Sequence, residues 1–164
     1  MNSPFAQIVK AAALLAFICL SIQPALAQTS QCSFTRMGGT LIDFGLISAA
    51  NRNDIIGIDN VGLTCNAGLG LAVSYSVAIS SGSSGTFANR TLRFAGSTLN
   101  YNLYTEPTFM QVFGDGSMGS NSATVNGLCA NGVSCTVPVY GRINGGQSLR
   151  AGQFTDAVIV TVSF

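Results

Sequence analysis

The side chains that could perform chemistry are few, and cysteine is the most informative of them. The chain of 164 residues contains five cysteines and no histidine. Without histidine, a serine or cysteine nucleophile lacks its usual base, and the commonest metal ligand is missing. The acidic residues are scattered along the chain and form no motif for acid–base catalysis. The composition therefore predicts a protein that is not an enzyme and that binds no cofactor or metal.

The first 27 residues have the pattern of a secretory signal peptide. A polar start ends at Lys10, an apolar run covers residues 11–22, and Ala25-Leu26-Ala27 supplies the small residues that a signal peptidase needs. The apolar run has about 12 residues, fewer than the roughly 18 to 20 that span a bilayer. We therefore expect residues 1–27 to be removed, and residues 28–164 to form one exported domain.

Four cysteines remain in the expected mature chain, and an even number in an exported protein predicts two disulfide bonds. They are Cys32, Cys65, Cys129 and Cys135. Three connectivities are possible, and the spacing favours Cys32–Cys65 and Cys129–Cys135, because each pair lies within one half of the chain. The alternative is a zinc site, which the absence of histidine and of any C-x-x-C pair disfavours.

The mature chain carries almost no net charge. Removal of the signal peptide takes away the only lysine, Lys10, and leaves six arginines against six acidic residues. Nucleic-acid or anionic-membrane binding requires clustered basic residues, so the composition argues against both kinds of partner. A neutral surface rich in glycine, serine, asparagine and threonine suits a subunit that packs against copies of itself or related chains.

Alternating apolar residues predict short strands throughout the mature chain. The clearest runs cover residues 71–79, 99–103 and 137–140, and shorter candidates cover 42–46 and 61–65. Clusters of glycine, serine and asparagine separate several of these runs, as turns would. No segment has a convincing apolar stripe at helical spacing. The sequence therefore predicts an all-β fold, either a β-sandwich or a barrel.

The last nine residues, Asp156–Phe164, have very high β-propensity. Ile159 lies on one face of this predicted strand, and the other face is apolar throughout. That apolar face consists of Val158, Val160, Val162 and Phe164. A natural sheet normally covers, charges or shortens such an edge. Either the strand pairs centrally with earlier strands, or the sandwich lacks its final strand and another polypeptide completes it by strand addition.

Five short motifs follow one another in the mature chain. They are Leu99–Thr105, Phe113–Gly116, Val139–Ile143, Ala151–Asp156 and Val160–Phe164. In this order and behind a signal peptide, they resemble the spore coat protein U domain family, which includes subunits of archaic chaperone–usher pili. The resemblance covers most of the mature chain. The motif residues are Tyr101, Tyr104, Gly114, Tyr140, Gly141, Arg142, Gly152 and Asp156.

The resemblance implies an incomplete immunoglobulin-like β-sandwich that lacks its final strand. In related pilins a periplasmic chaperone first supplies that strand, and the N-terminal extension of a neighbouring subunit later replaces it. The expected partners are therefore a periplasmic chaperone, an outer-membrane usher and other pilus subunits. The expected location is the periplasm in transit and then the cell surface. The strand-acceptor edge would be formed by Val158, Val160, Val162 and Phe164.

The N-terminus departs from that of polymerising pilins. Only Gln28-Thr29-Ser30-Gln31 precedes Cys32 in the expected mature chain, and at about 3.3 Å per residue these four residues reach only about 13 Å. We therefore expect a subunit that accepts a strand but donates none, as a tip or terminal subunit would. The alternatives are a non-polymerising secreted coat or matrix protein and a lectin-like module with tyrosines on a sugar-binding surface.

Two further residues have alternative interpretations. Asp115, in Gly114–Ser117, could belong to a calcium loop. Calcium needs six to eight oxygens and one aspartate supplies one or two, so we expect a turn. Arg142 could bind a partner, but we expect it to pair at a strand end with an acid such as Asp156.

Overall fold

The computed structural model describes residues 31–36, 41–48, 50, 52–66, 72–128, 134–148 and 150–163. Within these ranges the chain forms eight β-strands and one short 3₁₀ helix, Gly82–Ser84, which confirms the all-β prediction. The strands are β1 (Gln31–Arg36), β2 (Ile55–Asn66), β3 (Ala72–Ile79), β4 (Arg90–Phe94), β5 (Ser97–Tyr104), β6 (Ala123–Leu128), β7 (Ser134–Ile143) and β8 (Val160–Ser163).

The strands form two antiparallel sheets. The first has five strands in the order β1-β2-β7-β5-β4, and the second has three in the order β6-β3-β8. Side chains of both sheets meet in one core, in which Val61 of β2, Val77 of β3 and Val139 of β7 are each no more than 1% exposed. The two sheets therefore pack face to face as a β-sandwich.

Residues 42–46 form no strand, so that prediction is wrong. Gly45 has a left-handed φ of +67°, which interrupts an extended run. The Gly45 N–H donates to the Asp43 carboxylate at 2.8 Å, which closes a local turn. An alternating pattern in the sequence cannot reveal this interruption, because glycine is compatible with both conformations.

Ile42 and Phe44 pack against the first sheet through their side chains. They lie over Gly57 of β2 and Gly141 of β7, which are directly opposite each other in the ladder. A Cβ atom on Gly141 would come within 2.7 Å of the Phe44 ring. The paired glycines therefore provide the space that Ile42 and Phe44 fill, which explains why these two residues are apolar, whereas Leu46 is exposed.

The final strand is shorter than the nine residues predicted, because β8 covers only Val160–Ser163. Just before it, the backbone pairs with the other sheet. Thr155 and Arg93 of β4 exchange two backbone hydrogen bonds, of 2.8 and 3.1 Å. The chain therefore crosses between the sheets over residues 156–159. The sequence does not show the crossing, since Val158 and Ile159 favour strands as strongly as the residues after them.

The N-terminal residues 1–30 and most cysteine side chains lie outside the part of the chain that the structure describes. This part of the chain includes the predicted signal peptide, residues 1–27. The backbone register of β1 and β2 places Cys32 opposite Cys65, as the predicted bridge requires, and Cys135 is disulfide-bonded. Both disulfide pairings remain predictions. No helix in the described ranges is long and apolar enough to cross a membrane.

Candidate functional site

The last strand of the chain, β8, is paired on one side. It pairs antiparallel with β3, Val160 opposite Ile79 and Val162 opposite Val77, and no described strand pairs with its other edge. Backbone groups in an antiparallel ladder point alternately to the two sides. The Ile159 carbonyl points towards β3, where it accepts the Ser80 N–H at 2.9 Å. The N–H and C=O groups of Val160 and Val162 therefore point to the unpaired side.

The side chains of β8 and the residues just before it form one apolar face towards the core. Val158, Val160 and Val162 are half-buried against the core, whereas Ile159 on the opposite face is 71% exposed. Phe164, the fourth residue predicted for this edge, lies outside the described residues. The open edge of β8 thus combines free backbone groups with an incompletely covered apolar face, which are the two features that strand addition uses.

Asp156 connects the segment before β8 to β5 of the first sheet and to the 3₁₀ helix. Its Oδ2 atom accepts a hydrogen bond from the Tyr101 hydroxyl at 2.7 Å, and its Oδ1 atom accepts the N–H groups of Ser83 and Ala157, each at 2.9 Å. Burial, and then this bond to a carboxylate, raises the pKa of the Tyr101 hydroxyl far above its usual range. The hydroxyl therefore remains a donor to Asp156 at any ordinary pH.

Arg90 is a fully buried cation, 0% exposed, and no pattern in the sequence singled it out. Its Nη1 donates to Asn102 Oδ1 at 2.7 Å, and its Nη2 donates to the Phe113 carbonyl at 2.7 Å. The Ser80 carbonyl accepts from both Nε, at 3.1 Å, and Nη2, at 2.8 Å. The guanidinium also lies over the Phe87 ring, 5.3 Å from its centroid.

Neutral carbonyl groups surround the Arg90 guanidinium, and they take the place of an acidic partner. Among the described residues no carboxylate lies within ion-pair distance of it. Burial lowers the pKa of Arg90, although guanidinium stays charged at any ordinary pH. Nothing in a single sequence distinguishes a buried arginine from a surface one, and the neighbouring Arg93 on the same strand is indeed exposed. The Arg90 side chain bonds the Ser80 carbonyl directly after β3, and it therefore belongs to the surroundings of β8.

Three motif residues lie together on the outer face of the first sheet. Tyr104 of β5 is opposite Tyr140 of β7, and the Phe109 ring meets Tyr104 edge-on at 5.3 Å. The Arg142 guanidinium lies 5.5 Å from the Phe109 centroid. Its Nε is 2.8 Å from Asp54 Oδ2, in an electrostatic contact without hydrogen-bond alignment. Arg142 therefore pairs with an acid near a strand end, as expected, but that acid is Asp54 and not the suggested Asp156.

The motif glycines lie at close approaches in separate parts of the fold. A Cβ on Gly114 would collide with Ser120, one on Gly141 with Ile42 and Phe44, and one on Gly152 with the Phe94 ring. Two of the eight motif residues, Tyr101 and Asp156, are directly bonded, and both belong to the surroundings of β8. Thus the motif residues do not form one site.

The segment around Asp115 has the geometry of a turn. Asp115 Oδ1 accepts the Ser117 N–H at 2.9 Å and the Ser117 hydroxyl at 2.6 Å. These bonds, the hydroxyl first, lower the pKa of the Asp115 carboxyl. Within the described ranges, no three histidine, cysteine or acidic residues are grouped as metal ligands would be.

The family of the chain follows from a comparison with known protein families. The Spore Coat Protein U domain matches residues 17–161. The chain belongs to this family. Its members are structural or adhesive, so membership confirms the prediction from the sequence that the protein is not an enzyme.

Two solved structures are similar to this Spore Coat Protein U domain. One is the chaperone–tip adhesion subunit pre-assembly complex of archaic chaperone–usher Csu pili of Acinetobacter baumannii, with 19% identity and a TM-score of 0.49 over 82% of this chain and 40% of that chain. The other is a chaperone–tip adhesin complex of CFA/I fimbriae, with 12% identity and a TM-score of 0.49 over 82% of this chain and 42% of that chain. The chain thus spans about two fifths of each. No curated protein matches it.

Proposed function

We propose that this protein is a structural or adhesive subunit of a chaperone–usher surface pilus, and that the open edge of β8 accepts a strand from another polypeptide. The observation that carries the proposal is the open edge itself. Val160 and Val162 present unpaired backbone groups there, and their side chains are only half-buried. Family membership supports the same function, because the Spore Coat Protein U domain family includes pilus subunits.

The energetics of the open edge favour its completion by a partner. Burying a valine side chain fully contributes roughly 1.5–3 kcal/mol relative to leaving it exposed, and an added strand would also satisfy the free backbone groups of β8. An apolar edge left uncovered is a site of edge-to-edge aggregation. The isolated subunit therefore gains stability and solubility from any strand that completes the sandwich.

The proposal includes the partners and the destination expected from the sequence. A periplasmic chaperone would cover the open edge after export, an outer-membrane usher would receive the subunit, and other pilus subunits would be its neighbours at the cell surface. We place it at the tip or terminus of the fibre, since few residues would precede β1 (Gln31–Arg36) after the expected cleavage at residue 27. Strand acceptance needs no cofactor.

Two matched variants of the β8 segment test the proposal. The protein is co-expressed in a periplasm with its candidate chaperone, and complex formation is measured by co-purification. Val160→Asp places a charge on the core side of the open edge and should abolish the complex. Ile159→Asp places the same charge one residue earlier, on a side chain that is already 71% exposed, and should leave the complex intact.

Either of two outcomes would overturn strand acceptance. In the first, the unmodified protein forms no complex and stays soluble and monomeric, as a non-polymerising coat or matrix protein would. In the second, Val160→Asp and Ile159→Asp affect the complex equally, although only Val160 lies on the core side. Glycan binding by the purified protein without any chaperone would favour the lectin-like alternative instead.

A further inference from the structure

Three asparagines in the chain are each followed by glycine, and this dipeptide is prone to deamidation. They are Asn126, Asn131 and Asn144, of which Asn131 lies outside the described residues. In the reaction the backbone nitrogen of the glycine attacks the side-chain carbonyl carbon of the asparagine, a C–N bond forms, and ammonia leaves. Water then opens the cyclic imide to aspartate or isoaspartate. Glycine favours the ring closure because it has no Cβ atom to hinder it.

The two described Asn-Gly pairs differ in their surroundings. Asn126 and Gly127 lie in β6, where they are opposite Ser74 and Val73 in the ladder, and Asn126 Oδ1 accepts the Ser74 hydroxyl at 2.7 Å. Ring closure needs a backbone rotation that a paired strand does not allow unless the ladder opens. Asn144 instead directly follows β7 and is exposed, and its side chain makes no hydrogen bond to a described residue. Asn144 is therefore the freer of the two to react.

Gly145 cannot be exchanged for a less reactive residue at no cost. A Cβ atom there would come within 2.6 Å of the Asn53 carbonyl carbon and would collide with the Arg52 carbonyl oxygen. Both are backbone atoms, so a side chain at this position would require the main chain of residues 52–53 to move. The close approach of two backbone segments thus retains a labile dipeptide in an exposed part of the chain.

Asp54 restrains the nitrogen that would attack. Its Oδ1 atom accepts the Gly145 N–H at 2.9 Å, and its Oδ2 atom lies 2.8 Å from Arg142 Nε. The nitrogen attacks only after it has lost its proton. A carboxylate at hydrogen-bond distance holds that proton, and its own charge disfavours the negative charge that remains on the nitrogen. We propose that Asn144 is a deamidation site of the folded protein and that Asp54 slows the reaction there.

Deamidation would change the contacts that Asn144 makes through its backbone. The Asn144 carbonyl accepts a hydrogen bond from Gln147 Nε2 at 3.0 Å. The same Nε2 donates to the Asn100 carbonyl of β5, and Gln147 Oε1 accepts the Asn100 N–H, each at 2.8 Å. Isoaspartate inserts one methylene group into the main chain and displaces the carbonyl from Gln147. The new carboxylate also adds a like charge near Asp54. Both changes would loosen the connection between the end of β7 and β5.

Peptide mapping by mass spectrometry measures the reaction at each asparagine of the full chain, incubated folded at neutral pH. In the unmodified protein, Asn144 should deamidate faster than Asn126. Asp54→Ala should raise the rate at Asn144 about threefold to tenfold, the range expected for loss of one hydrogen bond. Asp54→Asn keeps an acceptor oxygen but not the charge, so it should raise the rate less than Asp54→Ala. Arg142→Met leaves the bond to Gly145 in place and should not change the rate.

Asn126 is the internal control in every variant, because its rate should stay constant as long as the β3–β6 ladder is intact. Deamidation at Asn126 as fast as at Asn144 in the unmodified protein would overturn the assignment of the site. An unchanged or lower rate at Asn144 in Asp54→Ala would overturn the role of Asp54, as would an equal rise at both asparagines. Deamidation is a reaction of the subunit alone, so its test does not depend on strand acceptance at β8.

Discussion

The two sheets end in edge strands that differ in their protection. At the edge of the first sheet, β4 exchanges two backbone hydrogen bonds with Thr155 through Arg93. The same strand contains two arginines, of which Arg90 is buried and Arg93 exposed. At the edge of the second sheet, β8 carries no charged residue in Val160–Ser163 and pairs with no described strand on its outer side.

This difference supports the proposal that β8 is left for a partner, since β4 is protected and β8 is not. Charge and an added bridge are the usual means by which a sheet avoids pairing with another chain, and β4 has both. β8 has neither, yet the segment before it is held firmly by Asp156 and Ser80. A well-positioned but unprotected edge fits a strand that is meant to be paired by another polypeptide.

Of the variants that test this difference between the two edges, a substitution of Arg90 should lower the free energy of unfolding most. Arg90→Met removes the donors of the Ser80 and Phe113 carbonyls and of the Asn102 side chain, and leaves these acceptors buried. We expect a loss of about 3–5 kcal/mol in the free energy of unfolding, measured with denaturant. Lysine should not rescue the loss, since an ammonium has three donors and lacks the planar fork of guanidinium.

Arg93→Met is the matched control on the same strand. Arg93 donates to the Ser83 carbonyl at 3.2 Å from an exposed position, so its loss should cost less than about 1 kcal/mol. If Arg90→Met and Arg93→Met lowered the free energy of unfolding equally, Arg90 would not be a buried structural residue with Arg93 a protective surface charge.

The sequence was sufficient for the fold class and for the core face of the last strand, because both depend on local alternation. It also contained the residues of the open edge, Val158, Val160 and Val162. It could not show that β8 begins only at Val160, because the crossing before it depends on a long-range contact between Thr155 and Arg93. Nor could it assign Arg90 to the interior, since the carbonyls that satisfy it come from three distant segments of the chain.

β4 also shows why some strands escaped detection. In Arg90–Phe94 the residues do not alternate cleanly between polar and apolar, because Arg90 takes a core position opposite Tyr101. Binary patterning assumes that core positions are apolar, and a buried arginine violates that assumption. The family resemblance did identify Tyr101 and Asp156 as motif residues. In the structure these two side chains are hydrogen-bonded to each other.

A smaller effect is expected at the connection between the two sheets. Tyr101→Phe removes the hydroxyl that donates to Asp156, and leaves the carboxylate with the N–H groups of Ser83 and Ala157. We expect a loss of about 1.5–3 kcal/mol in the free energy of unfolding, typical of a hydrogen bond to a charged group. This variant sharpens the comparison because it loosens the start of β8 without changing either edge.

Tyr104→Phe is the matched control for this prediction. Tyr104 lies on the same strand, and its ring, without a side-chain hydrogen bond among the described residues, packs edge-on against Phe109. Removal of its hydroxyl should change stability by less than about 0.5 kcal/mol, as for a surface substitution. If Tyr104→Phe were as costly as Tyr101→Phe, the contact with Asp156 would not be the cause.

The smallest effect is expected in the loop after β5, which packs against the first sheet through Phe109. Glu106 accepts hydrogen bonds from the Thr108 hydroxyl and from the N–H groups of Thr108, Met110 and Gln111. These bonds, the Thr108 hydroxyl first, lower the pKa of Glu106 from 4.5 to about 2. The Thr105 N–H also donates to the Gln111 carbonyl at 3.1 Å, so the loop is closed at its base.

A depressed pKa in the folded state means that the carboxylate stabilises this loop fully above pH 4.5 and progressively less as the pH falls towards 2. The Met110 and Gln111 amide shifts should therefore titrate near pH 2, and Glu106→Gln should abolish that titration. Because the carboxylate is exposed, β8 should be unaffected. A midpoint near 4.5 would instead mean that Glu106 does not hold the loop in solution. A titration of the Ile159 amide shift over the same pH range would mean that this loop and the β8 segment do not behave independently.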